Sequence, residues 1–304
     1  MLKADLLRTL TIDRHHHPRG HPHLSAASGL VCANGLVYVI ADDEHHLAVF
    51  SDRSGPGELH RLFADDLPAD KKARKQLKPD LETLLWWPAG SALVALGSGS
   101  RPNRNVGVLV PLGVNGEPSA AVRHFDLQPL YAPLREALGE INIEGAMLLG
   151  DEFVLLNRGV AGRSDNAAAH YPLRVLVDAV EGHFLAVQSA PTSAVTPTAI
   201  RHYALGSIGA VALAFTDAAA LPSGGWVFTA VAEDTRDSYA DGRCSGSVVG
   251  VVNARGELVA THRLDPPIKV EGIAVQVDDA GMLLCMVTDA DDPARASQLL
   301  TARL

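Results

Sequence analysis

Four acidic residues, Glu82, Glu144, Asp217 and Glu271, each open an apolar run that reads as a β-strand. The runs are Leu81-Glu82-Thr83-Leu84-Leu85, Ile143-Glu144-Gly145-Ala146-Met147, Thr216-Asp217-Ala218-Ala219-Ala220 and Val270-Glu271-Gly272-Ile273-Ala274. A fifth copy, Ala27-Ser28-Gly29-Leu30-Val31, keeps the glycine and has serine in place of the acid. If the repeats are arranged radially, carboxylates at equivalent strand starts converge on one axis. Converging carboxylates repel unless a cation, nearby arginines or proton uptake compensates them. Oxygen-only ligation suits Ca2+ or Mg2+ far better than zinc. Two readings are open at this point: a metal or ligand site, or acids that cap backbone amides and pair with arginine.

The loops that return to the same end of such repeats are rich in polar groups. They carry Asp42, Asp43, Glu44, His45 and His46, then Arg101 and Arg104, then Asn157 and Arg158, then Arg236, then Asp289. Guanidinium groups offer forked donors that match carboxylate or phosphate, so Arg101, Arg104, Arg158 and Arg236, with Asn157 and Asp289, are the expected ligand-binding residues. His45, Asp42 and Asp43 are the candidates for acid–base chemistry. The histidines His15, His16, His17, His21 and His23 read as a solvated connection, since no cysteine or fixed helical spacing accompanies them. There is no Gly-x-Ser-x-Gly elbow, no phosphate-binding glycine loop before a helix and no Cys-x-x-Cys pair.

The elements that would position these groups share one grammar. Each strand is followed by a turn rich in Gly, Asn or Asp and a second apolar strand, at 36–40, 92–96, 153–156, 226–231 and 282–287. Third strands are expected at 47–50, 106–110, 173–177, 248–252 and 299–302, and fourth strands at 58–63 and 257–264. The repeat starts are 54, 62, 73 and 54 residues apart, a period that fits four-stranded propeller blades. The expected fold is therefore all-β, a single-domain propeller of five four-stranded blades over residues 1–304. The long third interval leaves room for a sixth blade in 198–205 and 208–215. The last repeat has only three strands, and residues 3–12 are available to complete it, which would leave no open sheet edge. A helical insert is expected at 130–138, and 71–75 reads as a solvated loop or short helix.

Composition narrows the function. The 304 residues are 47% hydrophobic and 20% charged, with a formal net charge of −9 and no sustained basic tract. Nucleic acid is thus a poor partner. No apolar run reaches membrane-spanning length, and residues 1–8 lack the apolar core of a signal peptide. The three cysteines, Cys32, Cys244 and Cys285, are expected as buried thiols. A cytoplasmic, monomeric protein binding a small anionic molecule is the resulting expectation.

Ser28-Gly29-Leu30 followed by Tyr38-Val39-Ile40-Ala41-Asp42-Asp43, with Ile143-Glu144-Gly145 and Val270-Glu271-Gly272-Ile273-Ala274, resembles bacterial β-propellers of the phytase-like esterase and SdiA-regulated groups. The resemblance implies a propeller with calcium binding and phosphate or ester hydrolysis. Thr83 and Ala218 depart from it, standing where the motif has glycine after the acid. A propeller also hosts many unrelated activities.

Overall fold

The computed structural model describes residues 1–51, 55–88, 90–159, 165–182, 195–234 and 243–304. Five four-stranded antiparallel sheets form a ring, the arrangement of a five-bladed β-propeller. Their innermost strands are Ala27–Ala33, Leu81–Trp86, Ile143–Leu149, Val211–Ala220 and Val270–Asp278. Each of these lies against the innermost strands of the two neighbouring blades.

Burial explains which sequences occupy which strand. The second strands are sandwiched between neighbouring blades, so Ala92–Gly97 is buried along its whole length and its sequence, Ala-Leu-Val-Ala-Leu-Gly, shows no alternation. The outer strand Leu258–Asp265 faces solvent on one side and alternates half-buried with exposed residues. The core is correspondingly divided into apolar clusters lodged between adjacent blades, with Trp226, Phe215 and Phe228 filling one of them.

The ring is closed by both ends of the chain. Asp5–Thr9 pairs antiparallel with Gln298–Arg303 and becomes the fourth strand of blade five. Leu2–Lys3 continues outward and pairs parallel with Leu264 and Asp265 of blade four. The N-terminal segment thus covers the outer edges of Leu258–Asp265 and Gln298–Arg303.

Three expectations are corrected. The third strand of blade three is Ala167–Pro172, and the run expected there is helix α3, Arg174–Val180. Its buried residues Leu176, Ala179 and Val180 recur at helical spacing, which outweighs the strand preference of its valines. Among the described residues there is no sixth blade. Ala199–His202 is the outer strand of blade three, and Ser207–Ile208 pairs with the start of Val211–Ala220 as an inward hairpin on blade four. None of the cysteines is fully buried: Cys32 is exposed, near the end of a strand that opens to solvent, and Cys244 and Cys285 are half-buried. The expected insert is helix α2, Gln128–Leu138, and Lys71–Leu77 is helix α1, capped by Asp70, whose side chain accepts from Ala73 N. Among the described residues, no helix is long and apolar enough to cross a membrane.

Candidate functional site

Every innermost strand carries one β-bulge, and the bulges define the ring. The residues left unpaired opposite the second strand are Ser28, Glu82, Glu144, Thr216 and Glu271. The recurrent acid is therefore the bulge residue in blades two, three and five. Blade four places Thr216 there, so Asp217 stands one position further on, where the other blades have Gly29, Thr83, Gly145 and Gly272. Glycine suits that position because neighbouring strands approach closely. A Cβ on Gly145 would lie 2.8 Å from Asp217 Cα, and one on Gly272 would lie 2.5 Å from Ser28 O.

The residue two before each bulge forms a second tier: Ala26, Asp80, Asn142, Ala214 and Lys269. A third tier follows the second strand, with Asp42, Ser98 and Arg158, whose backbone N–H groups donate to Ala26, Asp80 and Asn142 respectively. Apart from Ala26, Ser98 and Thr216, these residues line a cavity of about 800 Å³ at the mouth of the channel. Its floor is charged where blades one, two, three and five contribute. Blade four adds Glu233 and Asp234 from its second strand, while its extended inner strand contributes Ala214 and raises an apolar wall with Val211 and Leu213.

The charges are arranged in two networks. Lys78, at the end of α1, bonds Asp42 and lies 2.7 Å from Asp80. Asp80 also accepts from Arg104 Nη1 at 2.6 Å and from Ser98 Oγ at 2.5 Å. On the far side Arg158 spans Glu144 and Glu233, at 3.4 Å and 2.7 Å. Lys269 reaches Glu271 at 3.1 Å and Asp291 at 2.6 Å. Asp80 and Asp291 are two of the three non-glycine residues in the left-handed region among the described residues, each with φ near +54–55°. Asp and Asn tolerate that conformation best, and held strain of this kind clusters at functional sites.

Carboxylates outnumber cations here, and the protonation equilibria follow. Burial pushes the Glu144 carboxyl up to about 7, with Glu271 and Asp80 adding to the rise against Arg158. Burial also drives Glu82 well above the usual carboxylate range, reinforced by Glu144, Asp80 and Asp42. Asp289 is raised well above its ordinary value by burial, although Lys269 opposes the shift. Asp80 goes the other way: burial would raise it, but Lys78 and Arg104 hold it low.

Glu82 is the exceptional member, since no hydrogen bond or ion pair reaches its carboxylate among the described residues. One oxygen from each of Asp42, Asp80 and Glu82 lies within 4.8 Å of the other two, an arrangement able to hold a metal ion. Three hard oxygen donors fit Ca2+ or Mg2+. Lys78 already neutralises two of them, so a divalent ion meets an ammonium competitor at this point.

The remaining expected residues have definite places. Asp217 accepts from Ala218 N at 2.8 Å and Ile273 N at 2.9 Å, so both its oxygens serve the backbone. Glu144 accepts from Asn142 and Arg158. Asp289 lines the cavity and takes the backbone N–H of Asp291 at 2.8 Å. Asn157 is buried and clamps its loop, accepting from Asn142 N at 2.8 Å and donating to the Arg158 and Asp165 carbonyls. Arg101 is half-buried and precedes the short turn Pro102–Arg104 without lining the cavity. Arg236 lies outside the described residues. His45 turns from the cavity to the loop, with Nδ1 2.6 Å from Asp65 O and its ring 4.6 Å from that of Phe63. Asp43 binds Arg19 at 2.9 Å and lies 3.6 Å from Arg74.

The histidine segment is solvated only in part. His15 and His16 are exposed, whereas His17 is 5% exposed and directs Nε2 at Glu44, 3.4 Å away. Burial lowers His17 to about 4, so it is neutral at neutral pH.

Lys78, Asp80, Asn142 and Lys269 escaped the sequence reading. A signal for three of them was present: Asp80-Leu81-Glu82, Asn142-Ile143-Glu144 and Lys269-Val270-Glu271 share a polar–apolar–acid pattern. Alternation along a strand puts the first and third of these on one side.

Comparison with known proteins adds fold and family. An α-L-arabinofuranosidase from Podospora anserina, solved with cellotriose, matches with 10% identity and a TM-score of 0.50, covering 99% of this chain and 96% of that one. A luciferin-regenerating enzyme matches with 11% identity and a TM-score of 0.44, over 93% of this chain and 78% of its own. A hypothetical protein from Leishmania major gives 11% identity and a TM-score of 0.43, over 93% and 85%. These likenesses concern the fold alone. No match was found among curated proteins. A family of unknown function, DUF6929, matches residues 23–304, and the chain belongs to that family.

Proposed function

We propose that the protein is a metal-assisted hydrolase of a small anionic phosphoester or ester, with a divalent cation held by Asp42, Asp80 and Glu82. The observation that carries this reading is the Glu82 carboxylate: it sits in a converging acid cluster with no hydrogen bond or ion pair among the described residues. A bound Ca2+ or Mg2+ would polarise a phosphoryl or ester oxygen and acidify a water. The chain's own groups would do the rest. Lys78 and Arg104 keep Asp80 ionised as a donor, and Glu144, poised near 7, is suited to exchange a proton with the reacting group. The arginines Arg104 and Arg158 are bound to carboxylates, so they shape the cavity more than they receive the anion. The resemblance to phytase-like esterases agrees with this chemistry. Calorimetry on chelator-treated protein is the test: Ca2+ or Mg2+ binding that Glu82→Gln abolishes supports the reading, and no heat with either ion overturns it.

A non-catalytic metabolite-binding role is the second reading, favoured by the size of the cavity, which lies in the range of small-molecule sites. Ligand-induced stabilisation without turnover across phosphate esters and carboxylate esters would select it.

A further inference from the structure

Beside the mouth lies a second cavity, of about 250 Å³, walled by the N-terminal segment, helix α1 and the blade-five loop. Asp42, Lys75, Lys78, Asp289 and Asp291 line both cavities, so the two are chambers of one site. The residues that belong to the second chamber alone change the charge balance. The cations Arg19, Lys71 and Arg74 face two acids, Asp43 and Asp292, in contrast to the acid-rich main chamber.

Two of these cations are built in. The side chains of Arg19 and Arg74 are each 9% exposed. Arg74 is fixed by Nε and Nη2, which donate to the carbonyls of Pro68 and Ala69 at 3.0 Å and 2.7 Å. Arg19 is fixed by Glu44, through Nε at 3.0 Å, and by Asp43. Its remaining nitrogen, Nη1, is buried without an acceptor. A buried guanidinium N–H left unpaired is costly, and an oxyanion is the acceptor that suits it.

The geometry points to the second chamber as an oxyanion subsite, in which Arg19, Arg74 and Lys71 hold a phosphate or carboxylate group of a ligand whose body extends into the main chamber. This rests on the proposed role of the main chamber in binding that ligand, but the subsite needs no metal. It also gives the anion a place away from the carboxylate floor, where its charge is opposed.

The experiment is calorimetric titration with inorganic phosphate and, separately, acetate in the presence of chelator, on wild type, Lys71→Glu, Arg19→Met and Glu82→Gln. Phosphate binding is expected in wild type and Glu82→Gln alike, weakened about tenfold or more by Lys71→Glu and lost in Arg19→Met. Acetate binding of similar strength would identify a carboxylate subsite, and phosphate preference a phosphoryl one. Lys71 is exposed on α1, so its reversal reads the site even if Arg19→Met unfolds by stranding Glu44. Absence of both anions, or binding unchanged in Lys71→Glu, overturns the subsite. Anion binding that requires Ca2+ and vanishes in Glu82→Gln also overturns it, and would place the anion on the metal. Cation binding without anion binding would refute the subsite and leave the metal reading standing.

Discussion

The carboxylate of Asp217 accepts the backbone N–H of Ile273 at 2.9 Å and that of Ala218 at 2.8 Å, tying the inner strand of blade four to that of blade five. This acid is a structural staple. Asp217→Ala strands two buried N–H groups and should cost about 2–6 kcal/mol in urea unfolding, at about 1–3 kcal/mol per unsatisfied group. Asp217→Asn should cost less, because its amide oxygen still accepts. Neither variant should change divalent-cation affinity.

Arg158 bridges Glu144 and Glu233, two carboxylates on different blades. Arg158→Met leaves both without that partner and should destabilise by about 3–5 kcal/mol, the usual consequence of breaking a buried pair from one side. The loss should shrink at acidic pH, where Glu144, poised near 7, takes up a proton. Denaturation at two pH values measures both effects.

Lys78 competes with a divalent ion for Asp42 and Asp80. Lys78→Met should therefore raise Ca2+ or Mg2+ affinity while lowering the stability of the metal-free protein. A fall in cation affinity in this variant would mean that Lys78 positions the ligands and does not oppose the ion.

The pH dependence follows from the raised carboxylates. Glu82, Glu144, Asp217 and Asp289 bind protons more tightly folded than unfolded. Their stabilisation is complete below the unfolded carboxylate range and is lost as pH rises through the folded values, about 7 for Glu144. His17 acts oppositely, since it is buried neutral: its contribution grows from about pH 4 to its ordinary 6.5. The Tm should thus fall between about pH 6.5 and 8, beyond the His17 window. Added Ca2+ or Mg2+ should reverse much of that fall in wild type and not in Glu82→Gln.

Much of the fold was legible because the propeller repeats its grammar. The bulge acids Glu82, Glu144 and Glu271 set the blade register, and the short last repeat pointed to closure by the N-terminus. Blade four was misaligned by one residue because Asp217 mimics the recurrent acid while Thr216 takes its place. The third strand of blade three was missed because Ala167-Ala168-Ala169 carries little strand signal beside the valines of α3. The site was half legible. Acids recur visibly, but which cation answers which acid depends on contacts across blades, such as Arg158 with Glu233, that no local pattern encodes. The partnerless nitrogen of Arg19 belongs to a segment read mainly as histidine-rich.

Closure by both chain ends also fixes the order of events during synthesis. Leu2–Lys3 and Asp5–Thr9 precede all five blades in the sequence, yet their partners are Leu264, Asp265 and residues 298–301. The opening segment must therefore stay unpaired until its partners in blades four and five have been made. Ring closure waits for the last strand of blade five, and until then the outer strands of blades four and five lack their partners.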